Sequence, residues 1–291
     1  MPPLSSFYKL WGLVMKRQKR VALVNDITGF GRCSMTVELP IVSALKVEAC
    51  PLPTALLSVH TAFPFPYIQD QTHIMEPYIE NWRKHQVTFD GISTGFLGSK
   101  EQVAIVKKFI QDFSTDETVV IVDPVMGDWG KLYASYTKEL SEEMKHLVPL
   151  ADVITPNLTE ASYLLDIPYL SEEEITMERL EKIAQALADK GPKQVIITGI
   201  SREEKIGNFV YEKGEESSFI GTKKIGGERS GTGDVFTGII TGSIVRGDSL
   251  TTSVLEIQSL NHRYFKALAY TETLNLPPAQ GIAFEEFLTE L

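Results

Sequence analysis

The sequence predicts an α/β fold: a three-layer α/β/α sandwich with a mostly parallel central sheet and a hairpin at one edge. Short apolar runs alternate with segments of helical periodicity along most of the chain, which implies parallel strands covered on both faces. One stretch breaks the alternation: GNFVYEKGEESSFIG, residues 207–221, is two short strands about a polar, glycine-containing turn. No repeat, low-complexity tract or Pro/Gly/Ser-rich linker divides the chain, so it reads as one domain.

The buried strands are RVALVN (20–25), FDGIST (89–94), TVVIVD (118–123), DVITP (152–156) and QVIITG (194–199). Helical spacing of apolar residues falls over 35–46, 70–85, 99–113, 136–147, 157–165 and 177–190, with Ser99 and Gln102 set as a capping box at one start. After the hairpin, 232–246, 250–272 and 282–290 read as helices. The domain is placed at 16–291. Residues 1–15 read as a dispensable extension: the basic cluster follows the apolar portion, the reverse of a secretory signal, and a second methionine, Met15, stands just before that cluster.

With 291 residues, 43% of them hydrophobic, the chain can bury a large core. A formal charge of −10 argues against a general nucleic-acid binder, and no run of roughly 18 uncharged apolar residues is present to span a membrane. Two cysteines, Cys33 and Cys50, are too few for a disulfide scaffold or a Cys-rich zinc site. A reducing, cytoplasmic setting follows as the simpler reading.

RSGTGDVFTG, residues 229–238, sets glycines and a threonine before an apolar helix and then places Asp234 at its start. Free N–H groups of Gly231, Thr232 and Gly233 at a helix N-terminus suit an anion such as a transferring phosphoryl group. Asp234 either favours the helix dipole there or accepts a proton from a substrate hydroxyl beside the anion. VDPVMGD (122–128) ends a strand in Asp123 and adds Asp128; the pair reads either as a turn with a solvated acid or as a support for hydrated Mg²⁺ against phosphates. In TPNLTE (155–160), Asn157 and Glu160 have the spacing of a capping box, which explains them locally, and also that of a loop facing nucleotide phosphates and metal. Thr198, in ITG, offers a hydroxyl at a strand end.

NDITGFGRCS (25–34) follows the first strand like a dinucleotide fingerprint, but Ser34 stands at its third glycine position and no ribose-binding acid follows at the usual distance. No Walker lysine motif is present; GFLGSK has the wrong spacing. The histidines, at 60, 73, 85, 146 and 262, lack metal-site spacing. His60 differs in lying in SVHTAFPFPY (58–67), an aromatic, proline-rich loop that either packs on the surface or covers a flat ring. Gly238 and Gly242 suit close helix packing. Asp26, Gly95, Phe96, Asp123, Asn157 and Thr198 share one property: each falls at a predicted carboxyl end of a strand, where ligands bind in such folds.

GTGD at 231–234, preceded in order by DPVMGD and TPNLTE, resembles the ribokinase-like superfamily and, within it, the vitamin B6 kinases. The resemblance runs from about residue 20 to about residue 275. SVHTAF looks like that family's ring-binding loop, and STGFLGS like its aromatic substrate contact followed by a helix. The resemblance implies ATP-dependent phosphorylation of the 5-hydroxymethyl group of a B6 vitamer. It implies Asp234 as base, with Gly231, Thr232 and Gly233 as anion hole. It further places Asp123, Asp128 and Glu160 near Mg²⁺, and Asn157, Glu160, Thr198, Ser230 and Thr232 at the nucleotide. Asp26, His60, Thr61 and Phe96 fall on the pyridine side. K⁺ near the nucleotide and a homodimer are common in the family.

Two departures bear on the substrate. Asp26 stands where many relatives carry a ring-contacting serine, and Val59 precedes His60 where asparagine is usual. An acid at the first position is similar to the hydroxymethylpyrimidine kinases, whose substrate is also a flat heteroaromatic alcohol. A vitamin-binding protein without activity is the remaining alternative. A sugar kinase fits less well, since no segment for a separate β lid is visible before the second helix.

Overall fold

The computed structural model describes residues 17–202, 204–224, 227, 229–248 and 266–290. The extension at 1–15, His262 and residues 250–265 of the helix expected over 250–272 lie outside the described residues. In chain order the elements are β1 (Arg20–Thr28), α1 (Met35–Ala44), β2 (Glu48–Leu57), β3 (Ile68–Asp70), α2 (Thr72–Lys84), β4 (Gly91–Thr94) and α3 (Lys100–Phe113). There follow β5 (Val119–Val122), β6 (Gly127–Asp128), β7 (Lys131–Leu132), α4 (Lys138–Met144), β8 (Val153–Ile154), α5 (Leu158–Leu165) and α6 (Met177–Ala188). The described elements close with β9 (Gln194–Arg202), β10 (Lys205–Glu212), β11 (Ser218–Lys223) and α7 (Thr232–Arg246), and residues 266–273 are helical.

Nine strands form one sheet in the order β11-β10-β9-β8-β5-β4-β1-β2-β3. The strands from β9 to β2 in that order run parallel, and the β10–β11 hairpin and β3 add antiparallel edges. Alternation along each strand sends side chains to two separate cores. Val21, Leu23, Ile121, Val153 and Ile196 pack with α1, α7 and 266–273, whereas Ala22, Val24, Ile92, Val120 and Ile197 pack with α2 to α6. Helices therefore cover both faces, as the apolar strands require. Helices α1 and α7 cross closely where the latter has glycines: a Cβ on Gly242 would meet the Leu45 side chain, and one on Gly238 would sit 3.2 Å from the Glu38 Cα.

β2 and β3 are additions to the predicted elements. Pro51 and Pro53 interrupt the strand signal of β2, because a proline cannot donate to a ladder. Here they are harmless. The Glu48 N–H donates to Lys19 ahead of β1, so alternation turns positions 51 and 53 away from β1, and β3 reaches β2 only at Ala55–Leu57. The two-residue strands β6 and β7 pair with each other as a small separate hairpin. Residues Glu285–Glu290 form a 3₁₀ segment instead of an α-helix over 282–290. Among the described residues no helix is long and apolar enough to cross a membrane.

Candidate active site

Parallel strands end on the same side of the sheet, and that collects residues distant in sequence. Asp26 lies near the end of β1, Phe96 just after β4 and Asp123 directly after β5. Asn157 follows β8 and pairs with Thr198 of β9 through an isolated bridge. A cavity of about 430 Å³ at the other ends of the strands is lined by Arg17, Arg83, Asp90 and Asp112. Its guanidiniums are already paired with those carboxylates, so it offers nothing to a phosphate.

Gly231 precedes α7 at φ 72°, a left-handed conformation that glycine adopts freely. A Cβ there would run into the Arg32 carbonyl oxygen, so the turn lies directly on the 30–34 loop. Among the described residues no side chain caps α7, and none lies within 4 Å of where a Cβ on the exposed Gly233 would stand. The space beside Gly233 at the start of α7 is therefore open, as an anion site at a helix N-terminus needs. Thr232 and Asp234 belong to the same turn, both half-buried. Burial lifts the Asp234 carboxyl to about 6, against the pull of the Ser34 N–H and with help from the Asp26 charge.

The turn is braced from the C-terminal side. The Ser230 N–H donates to the Pro278 carbonyl (3.3 Å), and the Arg32 N–H donates to that of Gln280 (3.2 Å). The guanidinium of Arg229 donates to Glu272 (2.8 Å) and to the Leu276 carbonyl (2.9 Å). Residues 272–280 thus strap the anion turn to the 30–34 loop.

Two acidic motifs, thirty-odd residues apart in the chain, form one unit. Asn157 and Glu160 make a complete capping box at the start of α5. The second oxygen of the Glu160 carboxylate reaches further and accepts the Met126 N–H (3.1 Å), while the Asn157 amide donates to the Gly127 carbonyl (2.9 Å). The Gly130 N–H adds a bond to Thr159 (2.8 Å). So the capping reading of Asn157 and Glu160 is realised, and the cap itself locks the 123–130 loop in place. Asp123 is buried and accepts the Thr237 hydroxyl (2.8 Å), which ties it to α7 one turn beyond Asp234. Asp128 is exposed and accepts the Trp129 N–H.

On the other flank, Asp26 is buried and accepts the Thr28 hydroxyl (2.8 Å). The His60 N–H donates to the Phe30 carbonyl (2.8 Å), which lays the 58–67 loop against the loop after β1. The Ala62 N–H donates to His60 Nδ1 (3.1 Å), so the neutral ring carries its proton on Nε2. Burial pushes the His60 pKa down and the Asp26 charge pulls it back up. Thr61 is exposed beside it. Phe96, half-buried, sets its ring edge toward Tyr136 at 6.2 Å. Its N–H donates to Asn25 (2.9 Å), and its carbonyl accepts the Thr54 hydroxyl (2.8 Å).

Asp26, Glu38, Asp123, Glu160 and Asp234 all have raised pKa values. Burial is the main cause in each, and neighbouring carboxylates add to it for all but Asp26; Asp123 reaches about 7. No lysine or arginine is among the principal influences on any of the five. Yet among the described residues no three acids, histidines or cysteines converge as a ready metal-ligand set. Asp123, Asp128 and Glu160 therefore do not converge as direct ligands, and the Glu160 carboxylate accepts two backbone N–H groups. They fit an ion held through water, since hard oxygens and uncompensated negative charge are what Mg²⁺ seeks.

These shifts carry a sign. Carboxyls with raised native pKa values bind protons more tightly folded than unfolded, so the stability they lend is present below about pH 4. It is lost as the pH rises through about 6 for Asp234 and about 7 for Asp123. Thermal melts in a chelator should show a lower Tm at about pH 8 than at about pH 5. A Tm that rises over that interval would contradict the cluster.

Asn25, Glu38 and Thr237 are site residues that the motifs do not single out. Glu38 did carry a signal, a lone carboxylate within the apolar helix MTVELPIV.

This sheet order, with acids at neighbouring strand ends and an uncapped glycine turn holding a carboxylate, is that of the ribokinase-like fold. The chain belongs to the phosphomethylpyrimidine kinase family, which its residues 39–271 match. A Bacteroides thetaiotaomicron protein, provisionally named a phosphomethylpyrimidine kinase, superposes with a TM-score of 0.90 at 39% identity, over 96% of each chain. Its orthorhombic crystals, which match with a TM-score of 0.88, contain pyridoxal. Pyridoxal kinase from Lactobacillus plantarum superposes with a TM-score of 0.85 at 28% identity, covering 94% of this chain and 96% of that one. Hydroxymethylpyrimidine/phosphomethylpyrimidine kinase of Haemophilus influenzae is 29% identical over 194 residues, 64% of this chain and 67% of the relative. The match spans only 31% to 50% of the length of the first curated relatives.

Proposed function

We propose that the protein transfers the γ-phosphoryl group of ATP to the 5-hydroxymethyl group of pyridoxal, pyridoxine or pyridoxamine, the salvage step that yields pyridoxal 5′-phosphate and its congeners. The observation that carries this reading is the pairing of an open anion turn, Gly231–Gly233, with a carboxylate lifted to about 6 inside it. A group that titrates near neutrality can take a proton during the reaction and release it afterwards. In the proposed step the substrate oxygen attacks the γ-phosphorus as its proton passes to Asp234. The bond from that phosphorus to the β,γ-bridging oxygen breaks, and ADP leaves. The N–H groups of Gly231, Thr232 and Gly233 stabilise the charge on the moving group.

Ser230, Asn157, Glu160 and Thr198 would line the nucleotide side. Asp123, Asp128 and Glu160 would hold Mg²⁺ through water, and that ion would offset the repulsion between phosphates and carboxylates. Backbone carbonyls near the nucleotide would serve K⁺. The ring would lie between Asp26, Phe96 and the His60–Thr61 loop, which shields the transfer from water. We place the reaction in the cytoplasm, by a homodimer, with small molecules as its partners and neither nucleic acid nor membrane. The first 15 residues are proposed to be dispensable, with the kinase domain at 16–291.

Pyridoxal in the Bacteroides relative and the name of the Lactobacillus one favour a pyridine substrate. Asp26 and the Haemophilus relative favour the second reading, a hydroxymethylpyrimidine kinase. Side-by-side turnover of the three vitamers and hydroxymethylpyrimidine, with ATP and Mg²⁺ and with or without K⁺, separates them. The vitamers should show at least about tenfold higher kcat/KM, a modest discrimination for a polar ring substituent. The reverse ranking would establish the pyrimidine reading. ADP release that never exceeds a vitamin-independent background would favour a non-catalytic binding protein.

A further inference from the structure

Asn25 is 1% exposed and sits where three segments meet. Its Oδ1 accepts the N–H of Asp26 (2.9 Å) and the N–H of Phe96 (2.9 Å), while its Nδ2 donates to Glu38 Oε1 (3.0 Å). One amide thus joins the end of β1, the loop after β4 and the first turn of α1. The loop after β4 is drawn in so tightly that a Cβ on Gly95 would overlap the Asn25 amide, and Gly95 is buried.

The two ends of an asparagine amide are nearly identical in shape, so packing alone does not choose between them. Hydrogen bonding does. Flipped, the amide would turn its NH₂ group onto two N–H donors and leave its oxygen facing a carboxyl. Glu38 is 2% exposed on a helix face that is otherwise apolar, and among the described residues no lysine or arginine is a principal influence on it. A buried polar group is expensive unless it satisfies another one. The group it satisfies is the Asn25 amide.

Resting on the alcohol-kinase reading above, we infer that Glu38 is a positioning residue for the ring side of the site. It acts through Asn25, whose orientation it sets, and Asn25 in turn holds the backbones of Asp26 and Phe96 at a fixed separation. Glu38 touches neither substrate. Its hydrogen-bonded chain of contacts ends on Asp26 and Phe96, on the alcohol side; its charge also repels Asp234 and Asp123, an effect that Glu38→Gln and Glu38→Met remove alike, so the difference between those two variants isolates the hydrogen bond.

Two substitutions separate the hydrogen bond from the packing. Glu38→Gln keeps an acceptor at the same reach, whereas Glu38→Met keeps the volume and removes the acceptor. Amide hydrogen exchange, read on peptides carrying the Asp26 and Phe96 N–H groups, reports the positioning directly and needs no substrate. Glu38→Met should speed exchange at both amides by roughly tenfold, the scale of one buried hydrogen bond, and Glu38→Gln should restore it. In steady-state kinetics Glu38→Met should raise KM for pyridoxal by a similar factor with KM for ATP within about twofold, again rescued by Gln. Asn25→Ser should reproduce the Met pattern, and combining the two should add little more.

Unchanged exchange in Glu38→Met, no rescue by Gln, or an equal rise in both KM values would overturn the inference. Should the native protein turn over no vitamer, the substrate assignment fails on its own. The exchange comparison then still decides whether Glu38 orders the two amides.

Discussion

Asp234→Asn is expected to lower turnover by about two orders of magnitude or more, with the fold and ATP affinity nearly intact. Asparagine matches the carboxylate in shape and is tolerated in a first helical turn, so α7 should form as before. What it loses is the ability to take a proton. It also removes one negative charge from a site in which neighbouring acids already repel one another, so ATP should bind at least as well. Single-turnover kinetics with a separate binding measurement for a non-hydrolysable ATP analogue makes the distinction. Turnover within about tenfold of the native rate would remove Asp234 from the role of base.

Gly231→Ala should do comparable damage by another route. The residue is at φ 72°, and its Cβ would strike the Arg32 carbonyl oxygen. Arg32 cannot easily yield, because its own N–H is held by Gln280 and its side chain pairs with Glu285 (2.6 Å). The strain of a non-glycine residue there costs about 1–3 kcal/mol before any clash is counted. The turn must shift, and the N–H groups it aims shift with it. Turnover should fall by about a hundredfold and the melting temperature by several degrees. Gly233→Ala is the control. Its Cβ meets open space, so the fold should be unaffected, while the methyl group would occupy room that the proposed function gives to an anion. Normal stability with KM for ATP raised is the expected result. If both variants behave like the native protein, the turn is not the phosphate site.

Much of this was legible in the sequence, for reasons that differ by residue. The run over 232–246 coincides with α7 because both of its ends are marked by glycines, Gly231 and Gly247, each in the left-handed region. The strands β1, β5 and β9 announce themselves by short uninterrupted apolar runs, Val21–Val24, Val119–Val122 and Val195–Ile197, whose side chains pack into both cores. β2 is hidden by Pro51 and Pro53, whose tolerance depends on which side of the strand meets a neighbour, a fact local sequence does not contain. For Asn157 and Glu160 the string permits either a cap or a ligand loop, and the structure shows why the choice was ill-posed: the cap is what holds the acidic loop. Asn25 and Glu38 escape because thirteen residues separate them, and nothing in the glycine-rich run that Asn25 opens or in the apolar helix around Glu38 says that the two side chains meet.

The strap over the anion turn bears on the order in which the molecule is assembled. Gln280 and Pro278 hold the Arg32 and Ser230 amides, and Arg229 closes on Glu272. A growing polypeptide has therefore made every described strand before the residues that brace the Gly231 turn emerge. Until synthesis passes that point the turn stays unbraced, so on the proposed reading ATP would meet a competent pocket only once the strap is down.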